Sequence, residues 1–296
     1  MSETYLLQAD RSAGRAGIIT GFAPDGSLVL VKIWPRRKGM EDSELEEIWR
    51  HELRQLHRLA GFPGASETIA QLKQAGLDEQ GFYLILDPGQ RTPLHDLLDH
   101  IPTGHWLKQP RLPRNRVSVW RNLIRLSRGL ETLHAQGLLH RNLDEWAVLT
   151  SGLDQPDFQL TGFEWSMRIA SGYVNRIRRG QVSNNQHYSF RHDWLMFGLM
   201  AGRLLNINVN RLLDLRIAPS EIADHISTGE AKLLREIIHG DSEGRLDGDL
   251  VARRIEEVLH TLNSEVAALD PKFYLVARIG TDAAGGQNKG GFWRGG

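Results

Sequence analysis

The chain has 296 residues, 41% of them hydrophobic and 24% charged, enough for one large domain or a two-lobed fold with an adequate core. Lys+Arg and Asp+Glu balance at 36 each and cysteine is absent, which argues against a bulk electrostatic partner and excludes disulfides, thiolate metal sites and a cysteine nucleophile. The N-terminal Met1-Ser2-Glu3-Thr4-Tyr5 lacks the basic and apolar regions of a signal peptide, and no apolar stretch approaches the roughly 20 residues that span a bilayer, so a cytoplasmic location with no membrane contact is expected.

In chain order, Gly26 closes an Ala-Pro-Asp-Gly turn, and Leu28 to Trp34 reads as a strand with Lys32 in its middle. Leu45, Ile48, Trp49, Leu53, Leu56 and Leu59 recur at helical spacing, which predicts a helix over 44–59. Phe82 to Leu86 is the next strand, ending at the turn Asp87-Pro88-Gly89 and followed by a short helix over 93–98. A proline-bearing loop over 101–116 carries Lys108, Arg111, Arg114 and Arg116. Helices are then predicted over 117–135, 197–205, 231–239 and 250–262. Beyond them lies a strand-like run over 273–279 and a glycine-rich tail, read as a linker or the start of a further unit. The expected architecture is α+β: a β-rich lobe over 1–87, a helical lobe over 88–263, and a tail over 264–296.

Two short runs carry the chemistry. His140-Arg141-Asn142-Leu143-Asp144 and, twenty residues on, Thr161-Gly162-Phe163-Glu164 resemble the catalytic loop and metal-binding loop of protein kinases. The stretch from Gly129 to Arg141 also resembles the kinase helix that leads into the catalytic loop. The resemblance spans roughly residues 10–262 and implies a two-lobed protein-kinase-like fold. It also exposes three losses. Asn142 stands where the family has its proton-accepting Asp, Ala147 where it has a metal-binding Asn, and Gly162 where it has the metal-binding Asp. An amide is a poor proton acceptor, and alanine and glycine offer a metal no side-chain oxygen. Asp144, at the position of the loop's second Lys, and Glu164 are the acids that could have taken over relocated chemistry. A solvated loop position is the blander expectation for both.

The same resemblance implies a vestigial nucleotide pocket. Ser12-Ala13-Gly14-Arg15-Ala16-Gly17 is similar to the glycine-rich loop, with Ile19 where a Val packs on the base. Lys32 follows Gly17 by 15 residues, and Glu52 is its matching helix partner. Leu30 shares a face with Lys32 by strand alternation and adds three carbons where the family has Ala, an overpacking that costs about 1–3 kcal/mol. Leu86 and Asp87, at the junction of the two lobes, complete the set. Positions implied to hold the fold together are His140 and Phe163 in an apolar stack with Leu56, Asp193 capping the loop backbone, Arg141, and Arg245. Packing positions therefore stand while polar groups of phosphoryl transfer are missing.

The reading that follows is a catalytically inactive pseudokinase, an interaction or allosteric module that engages a protein partner or adjacent domains of the same polypeptide. The alternatives are an atypical kinase or nucleotidyl transferase using Lys32, Glu52, Asp144 and Glu164, and a nucleotide sensor that binds ATP without metal, with Arg15 supplying positive charge. No resident metal or certain cofactor is expected. Two basic clusters, the one in the proline-bearing loop and another of Arg168, Arg176, Arg178 and Arg179, are read as solvated charge before nucleic-acid contact. Trp34, Trp49, Trp146 and Trp165 are expected in the core unless exposed.

Overall fold

The computed structural model describes residues 6–7, 17–35, 42–168, 189–240 and 246–269. Its fold is mixed α+β, a small antiparallel sheet beside a larger helical region. Strands β1 (Leu6–Leu7), β2 (Gly17–Phe22), β3 (Leu28–Pro35), β4 (Gln71–Leu77) and β5 (Gly81–Asp87) form one sheet in the order β1-β2-β3-β5-β4. Helix α1 (Asp42–Ala60) falls between β3 and the short α2 (Ala65–Thr68). Its apolar positions recur every three or four residues, so one face closes on the core, where Leu56 and Leu59 are buried. Trp49 Nε1 donates to the Tyr83 carbonyl at 2.9 Å and its ring lies 5.3 Å from that of Phe82, which ties the helix to β5.

After β5 the chain turns helical. Asp87 is exposed, and its Oδ1 accepts the Gly89 N–H at 2.9 Å, closing the expected turn. Then come β6 (Thr92–Pro93), α3 (Leu94–His100) and α4 (Pro113–Ala135), with β7 (Leu138–Leu139), β8 (Val148–Thr150), β9 (Gln159–Leu160) and β10 (Met167–Arg168) as short strands in the loops that follow. Helices α5 (Phe190–Leu204), α6 (Val209–Leu213), α7 (Thr228–His239) and α8 (Gly248–Leu269) complete the described residues. Proline at the first turn starts α4, where a missing N–H costs nothing. A Ser227–Glu230 capping box starts α7.

One apolar core joins the sheet to the helical region, running from Leu30, Leu56 and Leu84 through Trp120, Phe163 and Phe197 to Val266. The outer face of the sheet carries only a small separate cluster of Ala23, Val29, Val31 and Ile85. Strand β5 ends at Asp87. The last helix, expected over 250–262, is corrected: α8 runs on to Leu269. Val266 sits one turn beyond buried Leu262 and is itself buried, so the apolar stripe continues and the helix with it. The strand-like run over 273–279 lies outside the described residues.

Candidate functional site

Pairing register decides which side chains share the face of Lys32. Ile18 and Leu84 lie opposite Lys32, while Thr20 and Leu86 lie opposite Leu30. This face belongs to the main core, where Leu30 and Leu86 are each 1% exposed. Ile19 pairs with Val31 and therefore falls on the other face, with Ile85. Its expected place over a base beside Lys32 is corrected, since one step along a strand reverses the side chain. Gly17 opens β2, whereas Gly14, Arg15 and Arg245 lie outside the described residues.

Lys32 is held by two carboxylates. Its Nζ donates to Glu52 Oε1 and Oε2, both at 2.7 Å, and to Glu164 Oε2 at 2.9 Å. An ammonium has three N–H donors, so these three oxygens use them all. The side chains are 2%, 0% and 4% exposed, respectively. Glu52 comes from α1, and its Oε1 also accepts the Phe163 N–H at 3.3 Å. Glu164 comes from a 3-10 turn, Phe163–Trp165, that Gly162 precedes. The centre thus ties sheet, helix and loop together. The expectation of a solvated Glu164 is corrected: the turn points its carboxylate inward, where Lys32 compensates the loss of water.

Two carboxylates around one ammonium cannot both be comfortable out of water. Burial, with repulsion from Glu164 and against the attraction of Lys32, raises Glu52 to about 7. Burial also pushes Glu164 upward, but the Lys32 charge and hydrogen bond outweigh it and lower the group to about 2. Lys32 is raised, because Glu164 and Glu52 more than offset its desolvation. The three groups titrate as a set.

A second anchor joins α1 to the same turn. His51 Nε2 donates to Ser166 Oγ at 3.1 Å, and Ser166 Oγ donates to the Phe163 carbonyl at 2.7 Å. Nothing in the sequence marks this pair.

The loop over 140–147 is built from a second buried carboxylate. Asp193 of α5 accepts the N–H groups of His140 and Arg141, each at 2.8 Å, and a 2.9 Å bond from His134 Nε2. Arg141 adopts φ 66°, a left-handed conformation that non-glycine residues hold only when their surroundings enforce it. His140 is buried, donates from Nε2 to the Thr161 carbonyl at 2.9 Å, and meets the Phe163 ring edge-on at 5.4 Å. Its burial lowers the imidazole pKa.

Asn142 is half-buried, and its N–H donates to His140 Nδ1 at 3.4 Å. Asp144 Oδ1 accepts from Trp146 N and Ala147 N at 3.1 and 3.3 Å, capping the short turn Glu145–Ala147. That capping role accounts for an acid at this position. Gly162 has φ 80°, where glycine avoids the strain of a side chain. A Cβ built there would lie 3.5 Å from the Ala147 Cβ and 3.8 Å from Glu164 Oε2. Positions 147 and 162 therefore face each other, offering a methyl group and a hydrogen. Among the described residues, no group of three His, Asp or Glu side chains is placed to hold a metal ion.

The basic cluster of the proline-bearing loop is dispersed. Arg116 is 4% exposed, with Nε on Glu230 Oε1 at 3.1 Å and Nη2 on Glu265 Oε2 at 3.4 Å. Lys108 donates to the Ile101 carbonyl, and Arg111 faces Asp224 at 3.6 Å. Reading Arg116 as surface charge is thus corrected: it fills the junction of α4, α7 and α8. Arg168 is exposed, and Arg176, Arg178 and Arg179 lie outside the described residues. Trp34 is buried and Trp146 stacks on His95 with centroids 3.9 Å apart, while Trp165 is 50% exposed. No helix among the described residues is long and apolar enough to cross a membrane.

No protein-family model matches this chain. A search of curated proteins finds no significant match to it either.

Proposed function

We propose that the chain is a pseudokinase: a two-lobed, protein-kinase-like domain kept for its shape, which acts on a protein partner or on neighbouring domains of its own polypeptide. One observation carries the reading. A buried Lys32–Glu52 pair is kept, while positions 142, 147 and 162 carry an amide, a methyl group and a hydrogen. Phosphoryl transfer relies on positioning and on charge that stabilises the transferring group. Here the groups that would hold a divalent ion and accept a hydroxyl proton are absent, whereas the hydrogen bonds that shape the loop are present. The closeness of positions 147 and 162 supports the assignment, because two ligands of one ion must converge.

The relocated-acid alternative loses support from the same geometry. Asp144 caps a turn, and the Oε2 of Glu164 is bonded to Lys32. The buried leucine pair at 30 and 86 also favours a filled base slot over ordinary ATP affinity. Incubating the purified chain with labelled ATP and Mg²⁺ or Mn²⁺, alone and with generic protein substrates, tests the reading. Neither phosphate nor AMP is expected to be transferred. A labelled product that disappears in Glu164→Ala or Asp144→Ala overturns it.

A further inference from the structure

Lys32 carries one more carboxylate than its charge requires. Glu52 meets the ammonium with both oxygens at 2.7 Å, and one ionised carboxylate would suffice to neutralise it. Glu164 adds a second carboxylate at 2.9 Å, through one oxygen, and takes the remaining N–H of the ammonium. Burying an extra carboxylate is costly before its pairing is counted. The direction of its approach matters. Glu164 Oε2 lies 3.8 Å from where a Gly162 side chain would begin, so the carboxylate lies against the oxygen-free position 162, which itself faces Ala147. It therefore stands on the side of Lys32 that faces these positions, while Glu52 reaches Lys32 from α1.

We propose that Glu164 is a tethered anion, filling from within the chain the place where the phosphates of a ligand would meet Lys32, so that removing its charge unmasks a polyphosphate-binding site. The inference rests on the reading of Lys32 as the marker of a former nucleotide centre. It goes further in naming what keeps that centre closed. With Glu164 in place, the Lys32–Glu52 pair and the bond from Phe163 N to Glu52 tie α1 to the sheet and to the turn. An incoming polyphosphate would have to displace a carboxylate whose effective concentration is fixed by the turn Phe163–Trp165. Its own negative charge would meet that of Glu164 in a region with little water to screen it.

Inorganic tripolyphosphate is the probe of choice, because it needs no slot for a base and so bypasses Leu30. Binding is measured by calorimetry in EDTA for the wild type, Glu164→Ala, Glu164→Gln and the double variant Glu164→Ala/Lys32→Met. The wild type is expected to bind at least tenfold more weakly than Glu164→Ala, and the gain should vanish in the double variant. Glu164→Gln keeps the shape and removes the charge, so it keeps the test decisive if the alanine variant does not fold. Cooperatively folded Glu164 variants that bind no better than wild type overturn the proposal, as does a gain that survives loss of Lys32. A transfer product from the wild-type chain would instead defeat the pseudokinase reading, so the two failures are separable.

Discussion

Two of the buried carboxylate centres among the described residues solve the same problem differently. Around Asp193, one carboxylate is surrounded by donors: two backbone N–H groups at 2.8 Å and the His134 ring at 2.9 Å. These partners outweigh its desolvation, and the acid is pulled below its ordinary range. Around Lys32, two carboxylates compete for one ammonium, and Glu52 is raised while Glu164 is lowered. The first centre fixes backbone and is oversupplied with donors. The second joins side chains from three elements and is oversupplied with charge. A centre whose acid has donors to spare is a permanent brace. One with surplus charge is poised, because any change that removes a negative group or brings a positive one relieves it.

Lys32→Met is the sharpest way to break that contrast. It leaves two carboxylates buried without a cation, and removing one partner of a buried pair typically costs about 3–5 kcal/mol. Urea unfolding should show a loss of that size at pH 8, smaller at pH 5, where both acids can neutralise themselves. A loss below about 1 kcal/mol at pH 8 would mean that water reaches the centre and that the surplus charge is not stored.

Asp193→Ala comes next. It strands the buried N–H of His140 and loosens the part-buried N–H of Arg141, and a buried unsatisfied donor costs about 1–3 kcal/mol. A total of roughly 2–4 kcal/mol is expected from the same measurement. Arg141 should also relax from its left-handed conformation, which hydrogen exchange at 140–142 would detect as lost protection. Unchanged protection there would show that the loop holds itself, and the brace reading would fall.

These centres differ in how far the sequence announces them. A lysine in the apolar run Leu28 to Trp34 must find an anion, and Glu52, on the inner face of a strongly periodic helix, is the candidate in reach. Glu164 gives no such signal, because a glutamate in a loop reads as solvated and its bond to Lys32 spans 132 residues. Similarly, α1, α4 and α7 follow from apolar periodicity, since each buries one stripe. β4 does not. Its sequence, Gln71-Leu-Lys-Gln-Ala-Gly-Leu77, is an edge strand with little alternation. Gly76 fits packing that only the fold creates: a Cβ there would meet the Tyr83 hydroxyl, and that side chain would have to shift. Capping by Asp193 is legible through the loop motif, whereas the dispersal of Arg116 into a buried pair depends on where α7 and α8 come to rest.

The smallest expected effect is the most specific to the surplus charge. Glu52 has a folded-state pKa near 7 against an ordinary 4.5, raised by burial first, so the folded state holds this proton more tightly than the unfolded chain. Its contribution to stability is therefore complete below about pH 4.5 and is lost as pH rises through about 7. Glu164 behaves in the opposite sense, its contribution fading only as pH falls from about 4.5 towards about 2. Between pH 5.5 and 7.5 the Glu52 effect should dominate the centre and amount to about 1–2 kcal/mol. Glu52→Gln mimics the protonated acid and cannot ionise. The quantity to follow is the difference between variant and wild type, in which contributions common to both proteins cancel. That difference should shift in favour of the variant as pH rises from 5.5 to 7.5, read as urea midpoints at fixed ionic strength. A pH-independent difference would show that one ammonium satisfies both carboxylates. The distinction between a brace and a poised centre would then collapse into two braces of the same kind.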